Sequence, residues 1–109
     1  MSVSTGDLGV LYGNLLDNAI EACLKIPKDK RFIELDSKYL NGDLIIIMKN
    51  SKQPEKSREL RTTKKDKWRH GRGIRLVKQT AERYLGTFFV EDKGEVFESR
   101  VILRKIKSL

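Results

Sequence analysis

The spacing of apolar residues in the first half of the chain changes from a helical repeat to a strand-like alternation. From about Asp7 to Lys25 the apolar residues recur at i, i+3, i+4 and i+7, which predicts a helix with one buried face and Asp7 as its N-cap. Residues 31–40 then alternate, and Asn41-Gly42 is a strong signal for a tight hairpin turn. The returning segment, LIIIMKN, is apolar on both faces and predicts a central strand.

The second half repeats this order after a long polar segment. Residues 71–86 have helical spacing and end at Gly86, and residues 87–106 read as a second hairpin that turns near Lys93-Gly94. The order helix, hairpin, helix, hairpin predicts a single domain over residues 1–109. Its fold class is α+β: a two-layer α/β sandwich whose sheet is mixed but mostly antiparallel, with the helices on one face.

Charge narrows the classes of partner. The 109-residue chain has 23 Lys and Arg against 15 Asp and Glu, a net charge of +8, which indicates nucleic acid, an acidic membrane or a phosphate-bearing small molecule. The single cysteine, Cys23, excludes an intrachain disulfide and falls on the apolar face of its helix. No apolar run approaches the roughly 20 residues that span a bilayer, and no signal peptide is recognisable. We therefore expect a cytoplasmic domain without direct membrane insertion.

The first helix carries a polar stripe of unusual composition. Asn14, Asp17, Asn18 and Glu21 recur at i, i+3, i+4 and i+7, and all Lys and Arg residues lie at Lys25 or later. A solvated helix face is one interpretation. The other is a site for a hard cation such as Mg²⁺, which prefers amide and carboxylate oxygens and keeps water and substrate phosphates as further ligands.

The polar segment, residues 51–70, has no periodicity and is too long for a simple connection, which is typical of lids and binding loops. It leads into HGRGI, residues 70–74, where two glycines open the second helix. Such a start lets the backbone approach a phosphate and directs free N–H groups at it, although a tight turn into a helix is the alternative.

Three of these segments resemble the GHKL ATP-binding fold (the Bergerat fold) of histidine kinases, DNA gyrase and the heat-shock chaperones. NLLDNAIEA, residues 14–22, is similar to the asparagine box of that superfamily. TTKKDKWRHGRGI, residues 62–74, looks like the lid and glycine box of the peptide quorum-sensing sensor kinases of AgrC type. LIIIMKN, residues 44–50, looks like their adenine-binding strand. The resemblance covers nearly the whole chain, and the boxes stand in the family's order.

The resemblance implies a site for ATP and Mg²⁺. Asn18 would ligate the magnesium that bridges the nucleotide phosphates, and Asn14, one turn earlier, would contact the phosphates or the metal's water. Asn50 stands where most of the superfamily has an aspartate that hydrogen-bonds to the adenine amino group. Ile74 would line the adenine pocket. Phosphate contacts are expected from five residues of the lid and glycine box: Lys64, His70, Gly71, Arg72 and Gly73.

Asn14 is also the position that we single out as catalytic. ATPases of the superfamily that use a general base have a glutamate there, whereas an amide cannot accept the proton of water at neutral pH. The resemblance therefore implies the ATP-binding domain of a two-component sensor histidine kinase, a transferase that holds Mg-ATP for phosphoryl transfer to a histidine outside this chain.

The implied partners are the dimerisation and phosphoacceptor helices of a membrane-bound parent kinase and a downstream response regulator in signal transduction. Because His70, the only histidine, belongs to the glycine box, the fragment alone is not expected to autophosphorylate.

Departures from the family pattern leave alternatives open. Asn50 replaces the aspartate, the glycine boxes are incomplete, and the fold is expected to be curtailed at its N-terminus, which together allow a degenerate nucleotide-binding module without kinase activity. The alternative from another class is a small basic nucleic-acid-binding domain with Trp68 as a stacking residue. The acidic stripe argues against it, and we expect no nucleic-acid partner.

Overall fold

The computed structural model describes residues 1–54 and 71–107 and has the predicted order of elements. The helices are α1, Thr5–Cys23, and α2, Arg72–Arg83. The strands are β1, Ile33–Leu40; β2, Asp43–Ser51; β3, Thr87–Asp92; and β4, Val96–Leu103. Among the described residues, no helix is long and apolar enough to cross a bilayer. Most of the predicted lid, residues 51–70, lies outside the described residues.

The four strands form one sheet in the order β1-β2-β4-β3, and every pair of neighbours is antiparallel. β2 is central, as its apolar residues on both faces predict. Its hairpin with β1 turns through Asn41 and Gly42, whose φ angles of 54° and 85° lie in the left-handed region that asparagine and glycine tolerate best. Because β4 pairs with β2, the two hairpins join into one sheet.

Both helices pack on the same face of this sheet, which confirms the two-layer sandwich. α1 buries Leu11, Leu15, Ala19 and Cys23, one residue per turn. Burial of each large aliphatic side chain contributes roughly 1.5–3 kcal/mol. The innermost apolar side chains come from both helices, the two central strands and the C-terminal tail: Leu11, Leu15, Ile46, Met48, Val77, Val101, Leu103 and Ile106.

The start of α1 differs from the sequence prediction. The N-cap is Ser4, whose Oγ accepts a hydrogen bond from the Asp7 N–H at 3.0 Å, so Asp7 lies in the first turn rather than at the cap. The helix ends at Cys23, two residues before the predicted Lys25.

The end of α2 shows why Gly86 follows it. Leu85, not the glycine, adopts the left-handed conformation, with φ 59°. The Gly86 N–H bonds to Ala81 O at 2.9 Å and the Leu85 N–H to Glu82 O at 3.1 Å, which is a Schellman ending. A Cβ on Gly86 would lie 1.8 Å from the Ile102 carbonyl oxygen. The glycine is therefore required by the close approach of the helix end to β4.

β1 is an edge strand, and all eight of its residues are exposed. Its alternation predicts Ile33, Leu35 and Tyr39 on one face, and the register places them on the helix-facing side, opposite Asn50, Met48 and Leu44. They remain exposed because α1 packs mainly over β2. Alternation therefore predicted the face of each residue correctly but not its burial.

Candidate functional site

The two helices run antiparallel, and a polar cluster ties the first turn of α1 to the end of α2. Tyr84 Oη donates a hydrogen bond to the Asp7 carboxylate and accepts one from the Ser4 N–H, 3.3 Å away. Arg83 Nη2 lies 2.9 Å from Asp7 Oδ1. The Tyr84 hydrogen bond, aided by Ser4 and Arg83 and opposed by partial burial, holds the pKa of Asp7 below its ordinary value. This cluster fixes how α2 lies along α1.

At the other end of the helix pair, Gly73 lies against Asn14. The Asn14 side chain is half-buried, and its Nδ2 donates to Val10 O at 2.7 Å, which holds the amide in one orientation. A Cβ placed on Gly73 would lie only 2.6 Å from Asn14 Oδ1. A side chain at this position would require the Asn14 amide to move. The structure thus brings the predicted asparagine box and glycine box into contact.

The positive end of α2 lies at this same contact. Its N-cap, Gly71, has extended backbone angles and no capping side chain, and the Arg75 N–H returns to Gly71 O at 3.1 Å. N–H groups in a first turn without a side-chain acceptor are donors for an anion, and the helix dipole favours negative charge there. Arg72 and Arg75 are exposed and add positive charge.

The four residues of the polar stripe on α1 differ in their exposure to solvent. Asn14 and Asn18 are half-buried, whereas Asp17 and Glu21 are exposed. Since Asn14 contacts α2 and Asn18 is half-buried, the two asparagines lie beside the buried face of α1. Within the described residues the Asn18 side chain has no hydrogen-bond partner, so its amide oxygen is free to act as a ligand.

Asn50 lies at the end of the buried row of β2. Its side chain is 2% exposed, and its Nδ2 donates to Ser51 O at 3.0 Å. It continues the helix-facing row after Met48, so it lies on the side of the sheet that the helices cover. Ile74, in the first turn of α2, is half-buried. The predicted phosphate contacts Lys64 and His70 lie outside the described residues.

Sequence reasoning missed Lys52, which falls within the segment predicted as the lid but is buried in the structure. Its ammonium lies 3.1 Å from Asp92 Oδ1 and donates to Gly94 O at 3.0 Å, and its side chain is 5% exposed. The Lys52 N–H also donates to Glu95 O at 3.0 Å. The end of β2 is therefore fastened to the β3–β4 turn, and Asn50 is held two residues before this anchor.

No group of three His, Cys, Asp or Glu side chains in residues 1–54 and 71–107 is arranged to hold a metal ion.

Comparison with known proteins agrees with this geometry. Residues 3–104 match the family described as the GHKL domain. The chain belongs to the GHKL domain family. No curated protein matches the sequence of this GHKL domain.

Solved structures of histidine kinases share the fold. The catalytic domain of histidine kinase ThkA is similar with a TM-score of 0.73 at 16% identity, over 95% of this GHKL domain and 71% of that chain. The histidine kinase domain of the blue-light-activated kinase of Erythrobacter litoralis gives 0.72 at 18% identity, over 91% of this chain and 43% of that one. Acinetobacter baumannii histidine kinase AdeS is similar with a TM-score of 0.64 at 15% identity, over 91% of this chain and 46% of the AdeS chain. This GHKL domain thus spans less than half of the two longer kinase chains and has the fold of histidine kinase catalytic domains.

Proposed function

We propose that this GHKL domain binds Mg-ATP between α1 and the start of α2 and is the catalytic domain of a sensor histidine kinase. The observation that supports this most directly is the contact of Gly73 with Asn14 Oδ1. The first turn of α2 therefore lies beside Asn14, and Asn18 follows one turn later on α1. One side of such a site offers donors for phosphate, and the other offers amide oxygens for a cation.

The described residues fit a nucleotide with its magnesium. Asn18, one turn from Asn14, has no hydrogen-bond partner among the described residues, and its amide oxygen would ligate the ion. The first turn of α2 would bind phosphate oxygens through the N–H groups of Arg72 and Gly73, with Gly71 leaving room for close approach. Mg²⁺, when bound, would neutralise phosphate charge and help to align the γ-phosphoryl group.

Asn14 would orient the phosphates or a water of the metal, and it cannot act as a general base. Its Nδ2 is already used by Val10 O, so Oδ1 is the atom that faces the site. An amide oxygen at neutral pH takes no proton from water. This favours a domain that holds ATP for transfer over one that hydrolyses it rapidly.

Asn50 and Ile74 would form the adenine end of the site. A buried carboxamide can both donate to and accept from the adenine edge, whereas the aspartate usual at this position only accepts when ionised. Lys64 and His70 would add positive charge and hydrogen-bond donors from the lid over the phosphates.

The wider role rests on the sequence resemblance. The lid and glycine box are similar to those of the AgrC-type quorum-sensing branch, and we infer a membrane-bound parent whose cytoplasmic part includes this domain. In that parent the γ-phosphoryl group would pass to a histidine on dimerisation helices and then to a response regulator. The domain alone would bind nucleotide without autophosphorylating.

Calorimetric titration with a non-hydrolysable ATP analogue, with and without Mg²⁺, tests the proposal. We expect magnesium-dependent binding that Asn18→Ala weakens at least tenfold, because the variant loses the proposed protein ligand of the ion. Gln79→Ala, which removes a carboxamide from an exposed position on α2, should bind as the unchanged protein does. Absence of binding up to millimolar analogue, or equal affinity of the Asn18 and Gln79 variants, would contradict the assignment.

A further inference from the structure

The peptide group between Ser51 and Lys52 connects the Asn50 amide to the turn that joins β3 to β4. Its carbonyl oxygen, Ser51 O, accepts the hydrogen bond from Asn50 Nδ2 at 3.0 Å, and its N–H, that of Lys52, donates to Glu95 O at 3.0 Å. Because a peptide group is planar, a partner that holds its N–H also fixes the direction of its carbonyl. The orientation of the Asn50 amide is therefore linked to the position of the β3–β4 turn.

The Lys52 side chain holds the same turn a second time. Its buried ammonium lies 3.1 Å from Asp92 Oδ1 and donates to Gly94 O at 3.0 Å. Asp92 Oδ1 also accepts a hydrogen bond from the Gly94 N–H at 2.9 Å, so this carboxylate both shapes the turn and pairs with the lysine. Charge-assisted hydrogen bonds are stronger than neutral ones. Lys52 is thus attached to the β3–β4 turn through both its backbone and its side chain.

The direction of the Asn50 amide matters because a carboxamide is both a donor and an acceptor. A half-turn of the amide exchanges its oxygen and its NH₂ group, whereas an ionised aspartate accepts in either orientation. With Nδ2 bonded to Ser51 O, Oδ1 lies on the other side of the amide as an acceptor. The reversed amide would place Oδ1 against Ser51 O, two acceptors without a hydrogen between them, which is unfavourable in a buried position. The Ser51 carbonyl therefore selects one of the two orientations.

We propose that Lys52 is a positioning residue that makes the site selective for adenine over a purine with a carbonyl in place of the amino group. The inference rests on the proposed nucleotide site with Asn50 at its adenine end. The adenine amino group donates to Asn50 Oδ1, whereas the carbonyl of hypoxanthine or guanine would meet another acceptor there. A site that hydrogen-bonds one base rejects a base that leaves its buried polar group unpaired. Lys52 acts through the peptide group and Asn50, because its own ammonium is bonded within the turn.

Calorimetric titration with ADP and with inosine diphosphate, both in the presence of Mg²⁺, tests the inference, because hypoxanthine has a carbonyl where adenine has its amino group. We expect the unchanged chain to bind ADP roughly tenfold more tightly than inosine diphosphate. Lys52→Met should reduce this preference to less than about threefold, by weakening the binding of ADP. Lys93→Met is the matched control: it removes a 43% exposed ammonium from the same turn and should leave the preference unchanged.

Asn50→Ala separates positioning from a general structural role. It should abolish the preference by itself, and in that background Lys52→Met should weaken ADP by less than about twofold. An equal effect of Lys52→Met in both backgrounds would show that it does not act through Asn50 and would overturn the inference.

Asp92→Asn weakens the same attachment while keeping an acceptor oxygen, and it should lower the preference even if Lys52→Met does not fold by far-UV circular dichroism. ADP binding with an intact preference in the folded variants, or with no preference in the unchanged chain, would overturn the inference and leave the nucleotide site standing. Absence of binding of both diphosphates would overturn the proposed function and this inference together.

Discussion

Gly73→Ala tests whether the contact between the two boxes is as close as the structure shows. The new Cβ would lie 2.6 Å from Asn14 Oδ1, so the amide must rotate and lose its 2.7 Å hydrogen bond to Val10 O. Losing that bond costs about 0.5–1.5 kcal/mol. Alanine in place of a helical glycine stabilises by roughly 0.5–1 kcal/mol. The two effects offset each other, so we expect the free energy of unfolding to change by no more than about 1 kcal/mol.

Asn14→Ala removes the obstacle and separates these two effects. In that background Gly73→Ala should stabilise the protein by about 0.5–1 kcal/mol, which gives a coupling free energy of roughly 0.5–1.5 kcal/mol between the two positions. Gly9→Ala is the matched control, because a Cβ there meets nothing within 4 Å and it should stabilise in both backgrounds. Urea denaturation followed by far-UV circular dichroism measures all variants. Additivity within about 0.3–0.5 kcal/mol would refute the close contact.

Three further predictions concern the parts of the fold that position the site. The folded pKa of Asp7 is lowered, so its contribution to stability is complete above the unfolded pKa of about 4 and is lost as pH falls through the lower folded value. Asp7→Asn should therefore reduce the free energy of unfolding at pH 7 more than at pH 2, and an equal loss at both values in urea titrations would contradict this. Lys52→Met should cost about 1–3 kcal/mol because it removes a buried ion pair with Asp92 and a hydrogen bond to Gly94 O, whereas Lys38→Met, at an exposed pair, should cost about 0–0.5 kcal/mol. Similar urea midpoints for the two variants would contradict a larger contribution from the buried pair. Leu15→Ala should cost about 2–5 kcal/mol and Leu16→Ala less than about 1 kcal/mol, because the first is 1% exposed and the second 43%. Equal thermal unfolding midpoints for the two leucine variants would contradict the assignment of Leu15, and not Leu16, to the core.

Local patterns determined much of the fold from the sequence. Helical periodicity placed α1 and α2, the Asn41-Gly42 turn placed the first hairpin, and the apolar run of β2 predicted its central position. These signals are readable because backbone preference and turn chemistry depend on neighbouring residues. The asparagine and glycine boxes were readable for the same reason, since each lies within one short segment.

Burial and long-range contacts could not be predicted from local sequence patterns. The alternation of β1 predicted the face of Leu35, but its exposure depends on α1 lying over β2. Asp7 has the local features of an N-cap, but Ser4 takes that role and Asp7 pairs with Tyr84. Nothing around Lys52 indicates an ion pair, because its partner comes from a distant turn.

The sequence by itself predicted which side chains would form a nucleotide site, and it determined which elements carry them. Only the tertiary structure decided that Asn14 and Gly73 touch, that Asn18 keeps its amide oxygen free within the described residues, and that Asn50 lies on the covered face of the sheet. The physical reason is that a site for phosphate and cation needs donors and ligands from distant segments within hydrogen-bonding reach. Their separation is set by how the helices pack on the sheet, a property of the whole fold and of no single segment.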